Sequence, residues 1–203
     1  MALREDQILR YSRQILLREV GGRGQEKLLA GGVRLVGTGP AGLTAAAYVA
    51  AGGTAVEAGA EPLSPGTEGF LVSAGEVGQP ASEVLGRVLP DVNADALPPR
   101  GTGQLAELPT HWAGEGPWVA LGGDGTQGVV VFRGASGCAG CFEATTATWG
   151  VPPSGALGVG LGALGALILQ RLLLGLGPVL GACGWEAPGV LTELEVRRCG
   201  RCG

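Results

Sequence analysis

The stretch VRLVGTGPAGLTAAAYVAAGG, Val33–Gly53, decides the fold. Val33–Val36 reads as a short strand, a glycine turn follows, and the Ala-rich remainder reads as a helix closed by Gly52–Gly53. Gly37, Gly39 and Gly42 stand in the spacing G-x-G-x-x-G between that strand and that helix, the context of a dinucleotide-binding fingerprint. There the glycines let the backbone approach a phosphate, which rests on the N-terminus of the following helix. The ribose of such a ligand pairs with an acid roughly 20 residues further on. Glu61 stands at that distance, with Glu57 as a second candidate. The competing reading is a glycine-rich strand–helix turn that holds no nucleotide. Pro40 removes one N–H from the turn, although proline is well tolerated at a helix start.

Working outward, REDQILRYSRQILL (residues 4–17) alternates charges with Ile8, Leu9, Ile15, Leu16 and Leu17 and predicts an amphipathic helix. QEKLLAGG predicts a second, ended by glycine. TAVEAGAE predicts a second strand with Glu57 and Glu61 on one face, because strand side chains alternate. ASEVLGRVLP predicts a helix, and LPPRGTGQLAELPTHWAGEGP a loop with at most one helical turn. WVALGGDGTQGVVVFRG predicts a β-hairpin around Asp124–Gly125. A glycine-rich helix follows, then a last strand in GVLTELEVRRCGRCG. The fold class is α/β, a Rossmann-like, mainly parallel sheet flanked by helices. It forms one domain over 1–203: N-terminal helices over 1–30, a nucleotide-binding-like half over 31–97 and a contracted second half over 98–203.

Composition narrows the function classes. The chain has 203 residues with 45% hydrophobic but only 4% aromatic content, so its core is aliphatic. Its 40 glycines sit mostly inside apolar periodic segments, which points to close backbone packing rather than disorder. A formal net charge of −4, with no basic cluster beyond Arg197–Arg198, argues against a nucleic-acid partner. The charged N-terminal stretch lacks the apolar core of a signal peptide and predicts a reducing, cytoplasmic setting. Gly155–Leu169 is continuously apolar, but it falls short of the roughly 20 residues that span a bilayer before Arg171 interrupts it. A buried helix, not a membrane partner, is the expectation.

Four of the five cysteines form two pairs, Cys138/Cys141 in CAGC and Cys199/Cys202 in CGRC. A two-residue spacer lets both thiolates of a pair face one ion, and tetrahedral zinc takes four such ligands. Two other readings are a thioredoxin-like redox pair and four free thiols. A redox pair opens a helix, and the sequence predicts that neither pair does. Cys183 reads as a small buried hydrophobe.

VGTGPAGLTAAAYVAAGG by itself resembles the FAD-binding start of flavoprotein oxidoreductases, but no second glycine fingerprint follows. A wider resemblance runs along nearly the whole chain. LRYSRQILLREVGGRGQEKLLAGGVRLVGTGPAG, VGQP at Val77–Pro80, GALGVGLGALGALILQRLLLGLG and the two cysteine pairs, in that order, resemble the ThiF-type adenylyltransferases. That family is related to ubiquitin-activating enzymes and activates the C-termini of ubiquitin-like sulfur carriers in molybdopterin and thiamine synthesis. The resemblance implies attack of a peptide carboxylate on the α-phosphate of ATP with magnesium, and a structural zinc on Cys138, Cys141, Cys199 and Cys202. It also implies a dimer of ThiF-type subunits, and an arginine at Arg13 that reaches into the neighbouring subunit's ATP site.

The chain departs from the family where the chemistry lies. The family supplies an Asn and an Arg after the second strand, a Lys after GQP and an Asp in a TDN-like turn. Here EPLSPGTEGFLVSAGEVGQP holds no Arg, Lys or Asn, Ala81 follows GQP, and the shortened segment 97–117 has no Asp. These departures predict a degenerate member: a non-adenylating partner of an active homologue, or a module that binds a ubiquitin-like or peptide partner. The alternatives are an active adenylyltransferase using residues such as Arg87, Arg100 or Asp124, and an FAD- or NAD-binding module.

Overall fold

The computed structural model describes residues 2–69, 71–96, 103–108, 110, 112, 116–186 and 190–202. In chain order the helices are α1 (Glu5–Arg10), α2 (Ser12–Ile15), α3 (Gly21–Ala30), α4 (Pro40–Ala51), α5 (Ala81–Val92), α6 (Ala139–Thr146) and α7 (Gly155–Leu174). The strands are β1 (Gly32–Val36), β2 (Ala55–Ala58), β3 (Gly103–Glu107), β4 (Trp118–Gly123), β5 (Gly128–Arg133), β6 (Leu180–Glu186) and β7 (Val190–Leu194). They form one mixed, mostly parallel sheet in the order β2-β1-β3-β4-β5-β6-β7. The β2–β1, β1–β3 and β3–β4 pairs are parallel, and the pairs from β4 to β7 are antiparallel.

Strand order sets the position of the site. The chain leaves β1 to one side for β2, then returns to the other side for β3. The carboxyl ends of β1 and β3 therefore flank a topological switch point, where open α/β sheets form their ligand crevice. Pro40 occupies the first turn of α4, and Gly52 caps its C-terminus. Val33, Leu35, Leu105, Val119 and Leu121 face the helical layer of α4, α5 and α7 and are almost fully buried. The opposite face of β4 and β5 packs Trp118, Val129 and Val131 against Phe142 of α6. Burial on both faces explains why these central strands read as continuous apolar runs.

Helix α7 spans 20 residues and is apolar enough, by length and composition, to cross a membrane. In this fold it lies against α4 and the sheet, burying Gly158, Leu161, Gly162, Gly165, Ala166 and Leu169. The small residues let the backbones approach: a Cβ on Gly162 would overlap the carbonyl oxygen of Ala41, and one on Gly165 would lie 2.6 Å from Leu121.

Several sequence expectations are corrected. The N-terminal segment is not one helix with its apolar residues inward; it breaks at Tyr11, and Ile8, Leu9, Leu16 and Leu17 are exposed while Gln7 and Tyr11 are buried. Polar anchoring overrides the apolar pattern. Asp95 accepts from Arg4 at 2.7 Å, Gln7 at 3.1 Å and Tyr11 at 3.3 Å, and Asn93 donates to the Tyr11 hydroxyl at 2.6 Å. Residues 103–107, expected in a loop, form β3, because β1 and β4 flank them and complete their hydrogen bonds. Two further elements, α6 and β6, lie where the sequence predicted none. Glu61 lies beyond the end of β2, so strand alternation does not place it beside Glu57.

Candidate functional site

The glycine turn holds a carboxylate of its own chain. Gly37 adopts φ 93°, a left-handed conformation that sends the chain sharply from β1 into α4. Glu107, the last residue of β3, reaches across the switch point into that turn. Its Oε2 accepts from the Gly39 N–H at 2.6 Å and its Oε1 from the Gly42 N–H at 2.9 Å, and the Ala41 N–H adds to the same group.

The glycines make room for this side chain. A Cβ on Gly37 would lie 2.8 Å from the Glu107 Cβ, and one on Gly39 would lie 2.6 Å and 2.7 Å from the two carboxylate oxygens. Glu107 is only 6% exposed. Burial pushes its carboxyl above the usual carboxylate range, while the amides of Gly42, Gly39 and Ala41 pull the other way. Thus the N–H groups that a fingerprint of this spacing assigns to a phosphate are engaged by a buried glutamate. Sequence reading passed over Glu107 because its strand was not recognised; an acid at the carboxyl end of the strand beside the glycine turn is the signal that finds it.

The segment joining β2 to α5 folds over the turn. Thr38 donates to the Pro62 carbonyl at 2.8 Å and shares a hydrogen bond with Ser64 at 2.9 Å. Glu61 is exposed; its backbone carbonyl accepts from Ala81 at 2.9 Å. A cavity of about 240 Å³ opens beside the start of α4, lined by Leu43, Thr44, Thr67, Glu68 and Leu71 among others and, among the described residues, by no Lys or Arg. Between Gly37 and Ala96 the sequence has one cation, Arg87, and it pairs with Glu76 at 3.0 Å. Arg100 and His111 lie outside the described residues. Asp124 is tied up within its hairpin turn, accepting from Thr126 and Gln127. Arg13 is exposed on α2.

The four cysteines are brought together. Their Sγ atoms all lie within 4.8 Å of one another and can hold a metal ion. Individual separations are 3.7 Å for Cys138–Cys199, 3.0 Å for Cys141–Cys202, and 3.4 Å for both Cys199–Cys202 and Cys138–Cys202. Tetrahedral zinc with bonds of about 2.3 Å places its sulfurs about 3.8 Å apart, so the donor set fits in chemistry and nearly in size.

One sequence argument is overturned here: Cys138 caps α6 and Cys141 lies in its first turn, so the first pair does open a helix. The metal reading rests instead on the convergence of both pairs. Behind the cluster, the Arg197 N–H donates to Thr145 Oγ1 at 3.0 Å, and that hydroxyl donates to the Cys141 carbonyl at 2.7 Å. These bonds tie the C-terminal segment to α6. Cys183 stands apart, and burial raises its thiol pKa.

No family model matches the chain. Over 52 residues it is 56% identical to the adenylyltransferase and sulfurtransferase MOCS3 of Mus musculus, covering 26% of this chain and 11% of that protein. Over 104 residues it is 36% identical to the sulfur carrier protein ThiS adenylyltransferase of Escherichia coli (strain K12), covering 47% of this chain and 41% of the relative. The matches thus span less than half the length of these curated relatives. Among solved structures, PaaA superposes with a TM-score of 0.73 at 15% identity, covering 96% of this chain and 84% of that one. E. coli MccB with ATP superposes with a TM-score of 0.70 at 17% identity, covering 95% and 75%. At these identities the structural likeness is one of fold. Together with the sequence relatives, it supports a likeness to the ThiF-type adenylyltransferases.

Proposed function

We propose that this chain is a degenerate ThiF-type subunit that does not adenylate by itself and pairs with an active homologue. One observation carries this reading: among the described residues, the switch point is lined by carboxylates and lacks cations. Glu107 fills the glycine turn, Glu68 lines the neighbouring cavity, and Arg87 is engaged with Glu76. Phosphoryl-type chemistry on ATP needs the opposite, cations and a metal that neutralise a triphosphate. Losing even one such electrostatic contact typically costs about 2.7–4 kcal/mol of transition-state stabilisation.

In this reading the chain is one ThiF-type domain. Arg13, exposed on α2, is available to a neighbouring subunit's ATP site. Cys138, Cys141, Cys199 and Cys202 hold a structural zinc that fastens the C-terminal segment to α6. Its partner is an active ThiF-type subunit, with a ubiquitin-like or peptide chain as the shared substrate. A reducing cytoplasm suits thiolates held for metal.

The second reading, an active adenylyltransferase, is favoured by the names of the sequence relatives. ATP–pyrophosphate exchange with a Gly-Gly-terminated carrier separates the two. The proposal expects no exchange by the zinc-loaded chain alone, and lower activity of an active partner when Arg13→Ala replaces the native subunit. Exchange by the chain alone overturns it.

A further inference from the structure

We propose that Glu107 is a built-in occupant of the glycine turn, a carboxylate that takes the backbone amides of an oxyanion site and so shuts the turn to nucleotide phosphate. The inference deepens the non-adenylating reading and rests on it.

The geometry supports this step by step. A turn of glycines at a helix N-terminus offers converging N–H groups and the positive end of the helix dipole to a single anion. Here both Glu107 oxygens are used, one on Gly39 and one on Gly42. The crowding is mutual: any Cβ at Gly37 or Gly39 would strike the glutamate, so the glycine spacing fits this side chain. The group is not a loosely held cap that could swing aside, because it is buried and projects from the last residue of a central strand paired on both sides.

A phosphate and the carboxylate cannot share the same amides. Nor can they lie side by side without a cation to offset their repulsion, and the one cation of residues 37–96 is engaged with Glu76. A role confined to helix capping predicts that removing Glu107 only weakens the fold. Occupancy predicts a new property as well: the vacated amides should accept an external oxyanion.

The test uses the full, zinc-loaded chain at neutral pH, with inorganic phosphate and ATP as probes. Binding is read by calorimetry and by the backbone amide resonances of Gly39 and Gly42. The native chain is expected to bind neither probe at the turn, leaving both resonances in place. Glu107→Ala is expected to bind phosphate and ATP with a gain of about ten- to a hundredfold, the range of charge-assisted hydrogen bonds, and to shift both resonances. Glu107→Gln keeps the shape without the charge and serves where Ala fails to fold; it is expected to gain a smaller affinity.

Variants that fold yet bind no more than the native chain overturn the proposal, and so does saturable movement of the Gly39 and Gly42 resonances in the native chain. Pyrophosphate exchange on the same native sample keeps the two readings apart. Exchange refutes the non-adenylating function, whereas absent exchange with unresponsive variants refutes the role of Glu107 alone.

Discussion

Gly162→Ala tests how the fold holds its glycine turn in place. In an exposed helix interior, Gly→Ala stabilises by about 1 kcal/mol through backbone entropy. At Gly162 the added methyl would overlap the Ala41 carbonyl oxygen and lie 2.8 Å from Thr44 Cβ, both in the first turns of α4. The backbone carbonyl cannot rotate away, so α7 must lift from α4. Overpacking of this kind costs about 1–3 kcal/mol, at the upper end where the obstacle is backbone. The clash outweighs the entropy gain, and the net expectation is a loss of about 1–2 kcal/mol.

Gly86 in α5 is the internal control: it is exposed, a Cβ there meets nothing within 4 Å, and Gly86→Ala should be stabilising. At about 2–4 °C per kcal/mol for a chain of this size, thermal unfolding should move in opposite directions for the two variants. Because Ala41 and Gly42 open α4, the amide resonances of Gly39 and Gly42 should shift in Gly162→Ala and stay in place in Gly86→Ala. A Gly162→Ala variant as stable as the native chain would refute the packing argument.

Three further outcomes are expected. Burial raises the Glu107 carboxyl above its unfolded value, so its contribution is fully present below about pH 4.3 and is lost as pH rises through the folded value. The melting temperature of the native chain relative to Glu107→Gln should therefore fall from pH 4 towards neutrality; a rise would contradict the burial argument. Chelation should lower thermal stability reversibly, by up to about 4 kcal/mol where free zinc stands a thousandfold above its Kd. Cys202→Ser should reduce this effect and the metal content measured by mass spectrometry, and an intact one-to-one stoichiometry would remove Cys202 from the ligand set. At Asp95, burial alone would raise the carboxyl, but the hydrogen bonds of Arg4 and Gln7 outweigh it and hold the group low. Its contribution is present above about pH 3.9 and is lost as pH falls through the folded value. Asp95→Asn should speed hydrogen exchange in α1 and α2 at neutral pH, and unchanged protection would refute the anchoring role.

The parts legible in sequence are those whose pattern is local. Strand β1, the glycine turn and α4 follow from Val33–Gly53 alone, because glycine, proline and alanine each carry a backbone preference. The β4–β5 hairpin follows from the apolar runs Trp118–Leu121 and Val129–Phe132 on either side of Asp124–Gly125, and its turn forms as the pattern implies. Segments fixed by their neighbours are harder to read. Gly103–Glu107 lacks the β-branched residues of a strand and becomes one because β1 and β4 pair with it. LGACGWE in β6 likewise has no β-branched residue, and is held between β5 and β7. In the N-terminal segment the apolar spacing pointed to the wrong face, since Tyr11 and Gln7 are drawn inward by Asn93 and Asp95.

The candidate site divides in the same way. The cysteine pairs are plain from spacing, whereas their convergence needs the C-terminal segment to fold back on α6. Glu107 was illegible for a stronger reason: its meaning depends on strand order, which brings residues 65 and 68 positions apart into hydrogen-bond contact.

Under the proposed function, this chain does not adenylate by itself. The most direct measurement is ATP–pyrophosphate exchange by the purified, zinc-loaded chain with magnesium and a Gly-Gly-terminated carrier. No exchange above a no-enzyme control is expected, with activity appearing only when an active homologue is added. Magnesium-dependent exchange by the chain alone would contradict it.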